Sequence, residues 1–336
     1  MNSTSIGDLA RVFQNRHLTT SLKSDMTRLG RELATGLRSD VSAAVSGDFG
    51  PMADIERLLT TLGARKTVTT EAALTANTMQ TALEAVQENS RSVSSSLLSI
   101  QSNQSAATVQ IAAENARERF DMLVSALNTS TAGRTLFGGA ATDRAALASA
   151  ADMLAALSTA TAAETTASGV RSVVDAWFDT PGGGFETVGY LGSTSAMGAF
   201  QLGEGDAVTL DIRADAPALR DLMKSFATAA LVAEGTLSGG LDQQVALLTD
   251  AGTQLIGDDQ QFTAFRAGLG VRQERIESAT VRNAAEETAL GLARNGLIAV
   301  DPYDTAPELE AAYTQLETFY TVTARLSRLS FTDYMR

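Results

Sequence analysis

Residues 79–100 read MQTALEAVQENSRSVSSSLLSI. Met79, Val86, Val93 and Ile100 recur every seven residues, and Ala107 continues the series. Leu83, Leu97 and Ile111 occupy the position four residues on, with Ser90 and Gln104 as interruptions. An apolar repeat of this period is a heptad seam, the signature of a helix that faces another helix. The stretch lies within 69 residues, 64–132, that contain neither glycine nor proline. The spacing therefore predicts a coiled-coil helix over about 64–132, roughly 100 Å long if unbroken.

A second seam lies toward the other end. Leu241, Leu248, Leu255, Phe262, Leu269, Ile276, Asn283, Leu290 and Leu297 are seven apart, and only Asn283 is polar. One buried amide in such a seam can fix register. The Gly257-Asp258-Asp259 stretch is a candidate interruption. Before the first seam, Leu22, Met26, Leu29, Leu33 and Leu37 step along one helical face, and Gly47, Gly50 and Pro51 mark a turn. After the second seam, Asp301-Pro302 breaks the chain. Thr305 is expected to cap a last helix, with Pro307 in its first turn and Glu308 at capping-box spacing. That helix carries Leu309, Leu316, Phe319, Leu326 and Leu329. It is too apolar to be a free tail and calls for burial against the N-terminal helix or a neighbouring molecule.

The middle differs. Leu136-Phe137-Gly138-Gly139 opens it and Pro181-Gly182-Gly183-Gly184 punctuates it. Ala207–Ile212 alternates like a half-buried strand, and Phe185–Tyr190 is a weaker strand candidate. Residues 145–160 and 170–177 are expected as short helices. Pro217 starts an amphipathic helix with Leu219, Leu222, Met223 and Phe226 inward. The expected organisation is an N-terminal helical arm over 1–135, an α+β insertion over 136–240 and a C-terminal helical arm over 241–336, so the fold class is mainly α.

Composition narrows the function. There is no cysteine and one histidine, His17, among 336 residues. This excludes disulfide scaffolds and thiolate sites and argues against histidine-based triads or zinc centres. The net charge of −13 is unevenly placed: residues 142–262 hold 5 basic and 16 acidic side chains, whereas residues 1–141 hold 13 of each. An acidic centre repels nucleic acid and anionic lipid, and near-neutral ends can pack against copies of themselves. Aromatics are 5% of the chain, and Ala, Thr and Ser are abundant. That composition suits close helix packing better than a core of aromatic clusters. No apolar run is long enough for a membrane span, and the first residues do not read as a cleaved signal.

The tail Tyr320–Arg336, with Ala324, Leu326, Ser327, Leu329, Ser330, Phe331 and Tyr334, resembles the C-terminal helix of the flagellin family, and particularly its hook–filament junction members. Leu33-Ala-Thr-Gly-Leu-Arg38 is similar to the motif closing that family's N-terminal helix. Leu136-Phe137-Gly138-Gly139 with Thr142 is similar to the start of its variable domain. Ser39–Asp48 departs from the family by lacking its paired acidic residues. The resemblance implies long antiparallel coiled-coil arms from both termini and an outward-facing insertion. It implies a non-enzymatic structural subunit of the bacterial flagellum, between hook and filament or, alternatively, in the filament itself. It also implies extracellular assembly by type III export without a cleaved signal peptide. The implied partners are copies of itself in a ring or tube, a neighbouring hook-associated protein, flagellin and an export chaperone, with no nucleic acid, membrane or cofactor. The self-association residues would be Leu22, Met26, Leu29, Leu33, Leu309, Leu316, Phe319, Leu326 and Leu329. Long heptad arms alone would also permit a more distant alternative, a cytoplasmic helical-hairpin scaffold or signalling protein.

No catalytic constellation assembles from the sequence. His17 sits among polar neighbours and reads as surface. The Gly182–Gly184 run lacks the Lys-Ser/Thr of a phosphate loop, and Gly203-x-Gly205 leads into a strand rather than a helix. Asp258 and Asp259, like Glu286 and Glu287, point about 100° apart on a helix and read as a cap and a solvated face. Asn128-Thr129-Ser130 matches a glycosylation sequon.

Overall fold

A computed structural model describes the backbone of residues 6–334 and the side chains of Ala10 and residues 12–325. The helices are α1 (Ile6–Thr35), α2 (Val41–Ala44), α3 (Gly50–Ser99), α4 (Ala106–Leu127), α5 (Ala150–Thr161), α6 (Ala167–Asp179), α7 (Pro217–Ala233), α8 (Leu241–Ile298) and α9 (Pro302–Tyr334). Two antiparallel strand pairs, β1 (Ser130–Thr131) with β2 (Arg134–Thr135) and β3 (Phe200–Gly203) with β4 (Asp206–Val208), complete the fold. The architecture is flagellin-like and mainly α. It divides into two compact units, residues 1–63 with 285–336 and residues 64–284, the boundaries falling within α3 and α8.

The expected continuous helix over 64–132 is two helices. A 3-10 turn, Ile100–Ser102, and an extended Asn103 separate α3 from α4. The cause is serine rather than glycine or proline. Ser95, Ser99 and Ser102 hydroxyls donate to carbonyls three residues back, at 2.9, 2.6 and 2.7 Å. Ser105 then accepts the Thr108 amide and starts a new helix. The seam follows the chain only to Ile100. Ile111, expected in it, is 68% exposed.

In the larger unit α3 and α8 run antiparallel. Gln273 Nε2 donates to Asn77 Oδ1 at 2.7 Å, Gln87 Nε2 to Thr263 Oγ1 at 2.9 Å, and Arg91 pairs with Asp259. Every step forward on α3 is thus matched by a step back on α8. Met79, Leu83, Val86, Val93 and Leu97 are buried, as are Leu248, Leu255, Phe262, Leu269 and Ile276. A Cβ on Gly252 would lie 3.0 Å from Leu97 Cβ, so that glycine sets how closely the helices approach. The Gly257-Asp258-Asp259 stretch does not interrupt α8.

The helix α4 buries Ala112, Ala113, Ala116, Phe120 and Leu123 and packs on α7, which buries Leu219, Leu222, Met223 and Phe226 as expected. The insertion does contain an aromatic cluster. Trp177 meets Phe178 edge-on at 4.7 Å, and Phe185 stacks on Phe178 at 5.3 Å. Phe185–Gly189 is a π-helical turn, not a strand, closed by a 2.6 Å bond from the Tyr190 amide to the Phe185 carbonyl. The predicted strand over 207–212 ends at Val208, although Leu210 and Ile212 remain buried.

In the smaller unit α1 packs against α9. The last helix begins a turn earlier than expected. Asp301, not Thr305, caps it, accepting the Tyr303 amide at 2.8 Å, and Pro302 supplies the first residue, where its missing N–H costs nothing. Pro307 therefore lies inside the helix.

Candidate assembly interface

The candidate interface is the α1–α9 pair. Leu22 and Leu29 are buried, Met26 is half-buried and Leu33 is exposed. On α9, Leu309, Leu316 and Phe319 are half-buried and Ala312 and Thr305 are buried. The side chains of Leu326 and Leu329 lie outside the described residues. The pair leaves much apolar surface open: Val12, Phe13, Leu18, Tyr303, Tyr313, Tyr320 and Val322 are all exposed, Tyr303 at 89%. An open groove of about 780 Å³ runs between Leu18 and Pro307, Ala311, Phe319 and Val322. Leu18 was readable in the sequence, since it precedes Leu22 by one turn. Ala311, which also lines the groove, was not, because alanine carries no distinct signal.

A backbone clasp fixes the base of this pair. The motif Leu33–Arg38 ends α1 at Thr35. Gly36 takes φ +71°, and its amide bonds the Glu32 carbonyl at 2.8 Å. The helix closes on a left-handed glycine, where a side chain would be strained. Leu37 then bridges Ala299. The Arg38 amide donates to the Ile298 carbonyl at 2.8 Å, and the Val300 amide to the Gly36 carbonyl at 2.9 Å. The buried Glu32 carboxylate receives the Ser39 amide at 2.8 Å and Arg28 at 3.2 Å.

In the larger unit, polar contacts locate the insertion on α8. Asp206 receives Arg275 at 2.7 Å and Arg282 at 2.6 Å, which hold its carboxyl below the usual range. Asn283 does not meet another seam amide; its Nδ2 donates to the Leu202 carbonyl at 2.9 Å. Asp259 is held low by hydrogen bonds from Arg91 and Gln87. Burial pushes the Tyr190 phenol up to about 12, and its hydroxyl donates to the Ser193 carbonyl. Leu136 and Phe137 are buried, and the following glycines let the backbone cross closely. The Ser193 amide donates to the Gly138 carbonyl, and a Cβ at Gly139 would sit 2.4 Å from the Ser195 carbonyl.

The remaining sequence candidates resolve as structure. His17 is exposed on α1. The Gly182 amide bonds Glu186, and Gly205 turns the β3–β4 hairpin at φ +68°. Asp258 and Asp259 form neither a cap nor a solvated face: both are half-buried within α8. The Asn128 side chain donates to the Leu147 carbonyl and accepts the Leu147 amide, so both ends of the sequon amide are engaged. Among the described residues no cluster of three His, Cys, Asp or Glu could hold a metal ion, and no helix is long and apolar enough to cross a membrane.

This is a class of protein defined by paired terminal helices with an incompletely covered apolar face. Residues 254–335 match the bacterial flagellin C-terminal helical region family. Two solved structures are similar over most of the chain. One is a Vibrio parahaemolyticus protein described as a flagellar hook-associated protein, with a TM-score of 0.44, 12% identity, and 73% of this chain and 94% of that chain covered. The other is Bacillus cereus FlgL, with a TM-score of 0.38, 14% identity, and 74% and 97% covered. No curated protein sequence matches the chain.

Proposed function

We propose that this chain is a flagellin-family structural subunit of the bacterial flagellum, and within it the hook–filament junction protein, hook-associated protein 3. The observation that carries the reading is that residues 254–335, which match the flagellin C-terminal region, include a helix packed against α1 while both helices keep apolar side chains exposed. Soluble chains rarely leave such a surface without a partner. The role is mechanical: Leu22 and Leu29 hold the α1–α9 pair together within each copy, and Met26, Leu33, Leu309, Leu316, Phe319, Leu326 and Leu329 pack copies into a ring or tube, contacting a neighbouring hook-associated protein on one side and flagellin on the other. The acidic insertion, residues 136–240, turns to solvent. Export proceeds through the flagellar type III apparatus, with a chaperone covering the last helix beforehand.

Immunogold electron microscopy of sheared flagella tests the assignment. Label in one narrow zone beside the hook supports the junction. Label along the whole filament identifies a filament subunit instead, and label confined to the cytoplasm overturns the flagellar reading. Deleting residues 302–336 is expected to leave cells with hooks and no attached filaments.

A further inference from the structure

Three helices of the larger unit meet around a cavity of about 60 Å³. From α6, Arg171 bonds Asp250 of α8 and reaches Asp175 at 3.5 Å. From α7, Lys224 lies 2.7 Å from Asp179, 3.2 Å from Asp221 and 3.8 Å from Asp175. Both cations are thereby committed to four carboxylates. A fifth carboxylate, Asp258 of α8, lines the same cavity and forms no ion pair among the described residues. Its hydrogen bond comes from Ser225, at a long 3.4 Å. The groups facing it are Asp221, Lys224, Arg171, Asp175 and Asp250, with Asp179 behind Lys224.

The cluster therefore holds more negative than positive charge in a half-buried space, where like charges repel more strongly than in water. We propose that the α6–α7–α8 junction is an acid-stabilised joint: the Asp258 carboxylate adds negative charge to a cluster whose two cations are already engaged by four other carboxylates, and neutralising it strengthens the docking of the three helices. Burial, and then the Asp221 charge, raise the Asp258 carboxyl above its ordinary value, against the pull of Lys224 and Arg171. The sign follows from linkage. A carboxyl whose folded pKa exceeds its unfolded value, about 3.9, destabilises the fold above the folded pKa. That penalty fades as pH falls through the folded pKa and is gone below the unfolded one. This opposes Asp206 and Asp259, whose lowered values make them lose stabilisation on acidification.

The test compares thermal unfolding of the full chain with that of Asp258→Asn between pH 4 and 8. The variant is expected to melt about 2 °C higher at pH 7.5, with the advantage shrinking toward zero near pH 4. Carboxyl-carbon NMR of Asp258 should show a midpoint above the ordinary range that moves down in Asp221→Asn. An Asp258→Asn variant that melts at or below the parent at pH 7.5, a difference independent of pH, or a midpoint that ignores Asp221 would each overturn the proposal.

Discussion

Leu37 and Ala299 form an isolated antiparallel bridge, flanked by the bonds Arg38 to Ile298 and Val300 to Gly36. Residues from opposite ends of the chain are thus joined by main chain at the point where α1 ends and α9 is about to begin. The clasp depends on backbone shape more than on side chains, and Gly36 provides that shape.

Replacing Gly36 with alanine forces a Cβ into the left-handed region at φ +71°. No neighbouring atom obstructs that Cβ, so the cost is conformational, about 1 kcal/mol. Chemical unfolding should show this loss. Hydrogen exchange should show faster opening at the Arg38 and Val300 amides.

Gly252 faces Leu97, Leu98 and the Ser94 carbonyl at 3.0 to 3.3 Å. Gly252→Val overfills the α3–α8 seam and is expected to cost about 1–3 kcal/mol. Gly257, with open space beside it, provides the control: Gly257→Ala should be neutral or slightly stabilising in the same denaturant titration.

Asn283→Leu preserves bulk but leaves the Leu202 carbonyl without its donor. A buried acceptor stripped of its partner costs about 1–3 kcal/mol. Protection from hydrogen exchange should fall in β3 and β4 more than in α3.

Asp206 is stabilised in its charged form by Arg275 and Arg282. Its folded pKa lies below the unfolded value, so the contribution is present above about pH 3.9 and is lost as pH falls through the folded pKa. Asp206→Asn should lower stability at pH 7 by about 0.5–1 kcal/mol, a modest figure because the arginines are exposed. Parent and variant should converge once pH falls below the folded pKa.

Leu316→Asp or Phe319→Asp puts a charge on the half-covered α9 face, where burial by a neighbour would desolvate it. Swimming and filament attachment should be lost while the isolated chain still folds. Normal motility in both variants would show that this face stays in water.

Much of the fold was legible. The heptads beginning at Met79 and at Leu241 identified two long helices, because a repeat near 3.5 residues has one geometric solution in a helix, although Leu241 and Leu297 at the ends of the second seam are exposed. Leu219, Leu222, Met223 and Phe226 identified the buried face of α7 by the same logic. The nine assembly candidates were only partly resolved by position: Leu22 and Leu29 are buried, whereas Leu33, in the same periodic row, is exposed. Periodicity names a face but not what lies opposite each residue.

What the sequence determined alone was helix content, its apolar faces, and the absence of thiol and multi-histidine chemistry, since these rest on local spacing and composition. Tertiary structure alone decided the turn at Ile100–Ser105, where serine hydroxyls competed with the helix. It decided the concentration of scarce aromatics into one cluster, the transfer of Asn283 from seam to strand, and the meeting of Asp258 with Asp221. The serine turn is a competition between near neighbours, but each of the last two is a relationship between residues distant along the chain. Its energy depends on a separation and a degree of burial that exist only once the helices have docked.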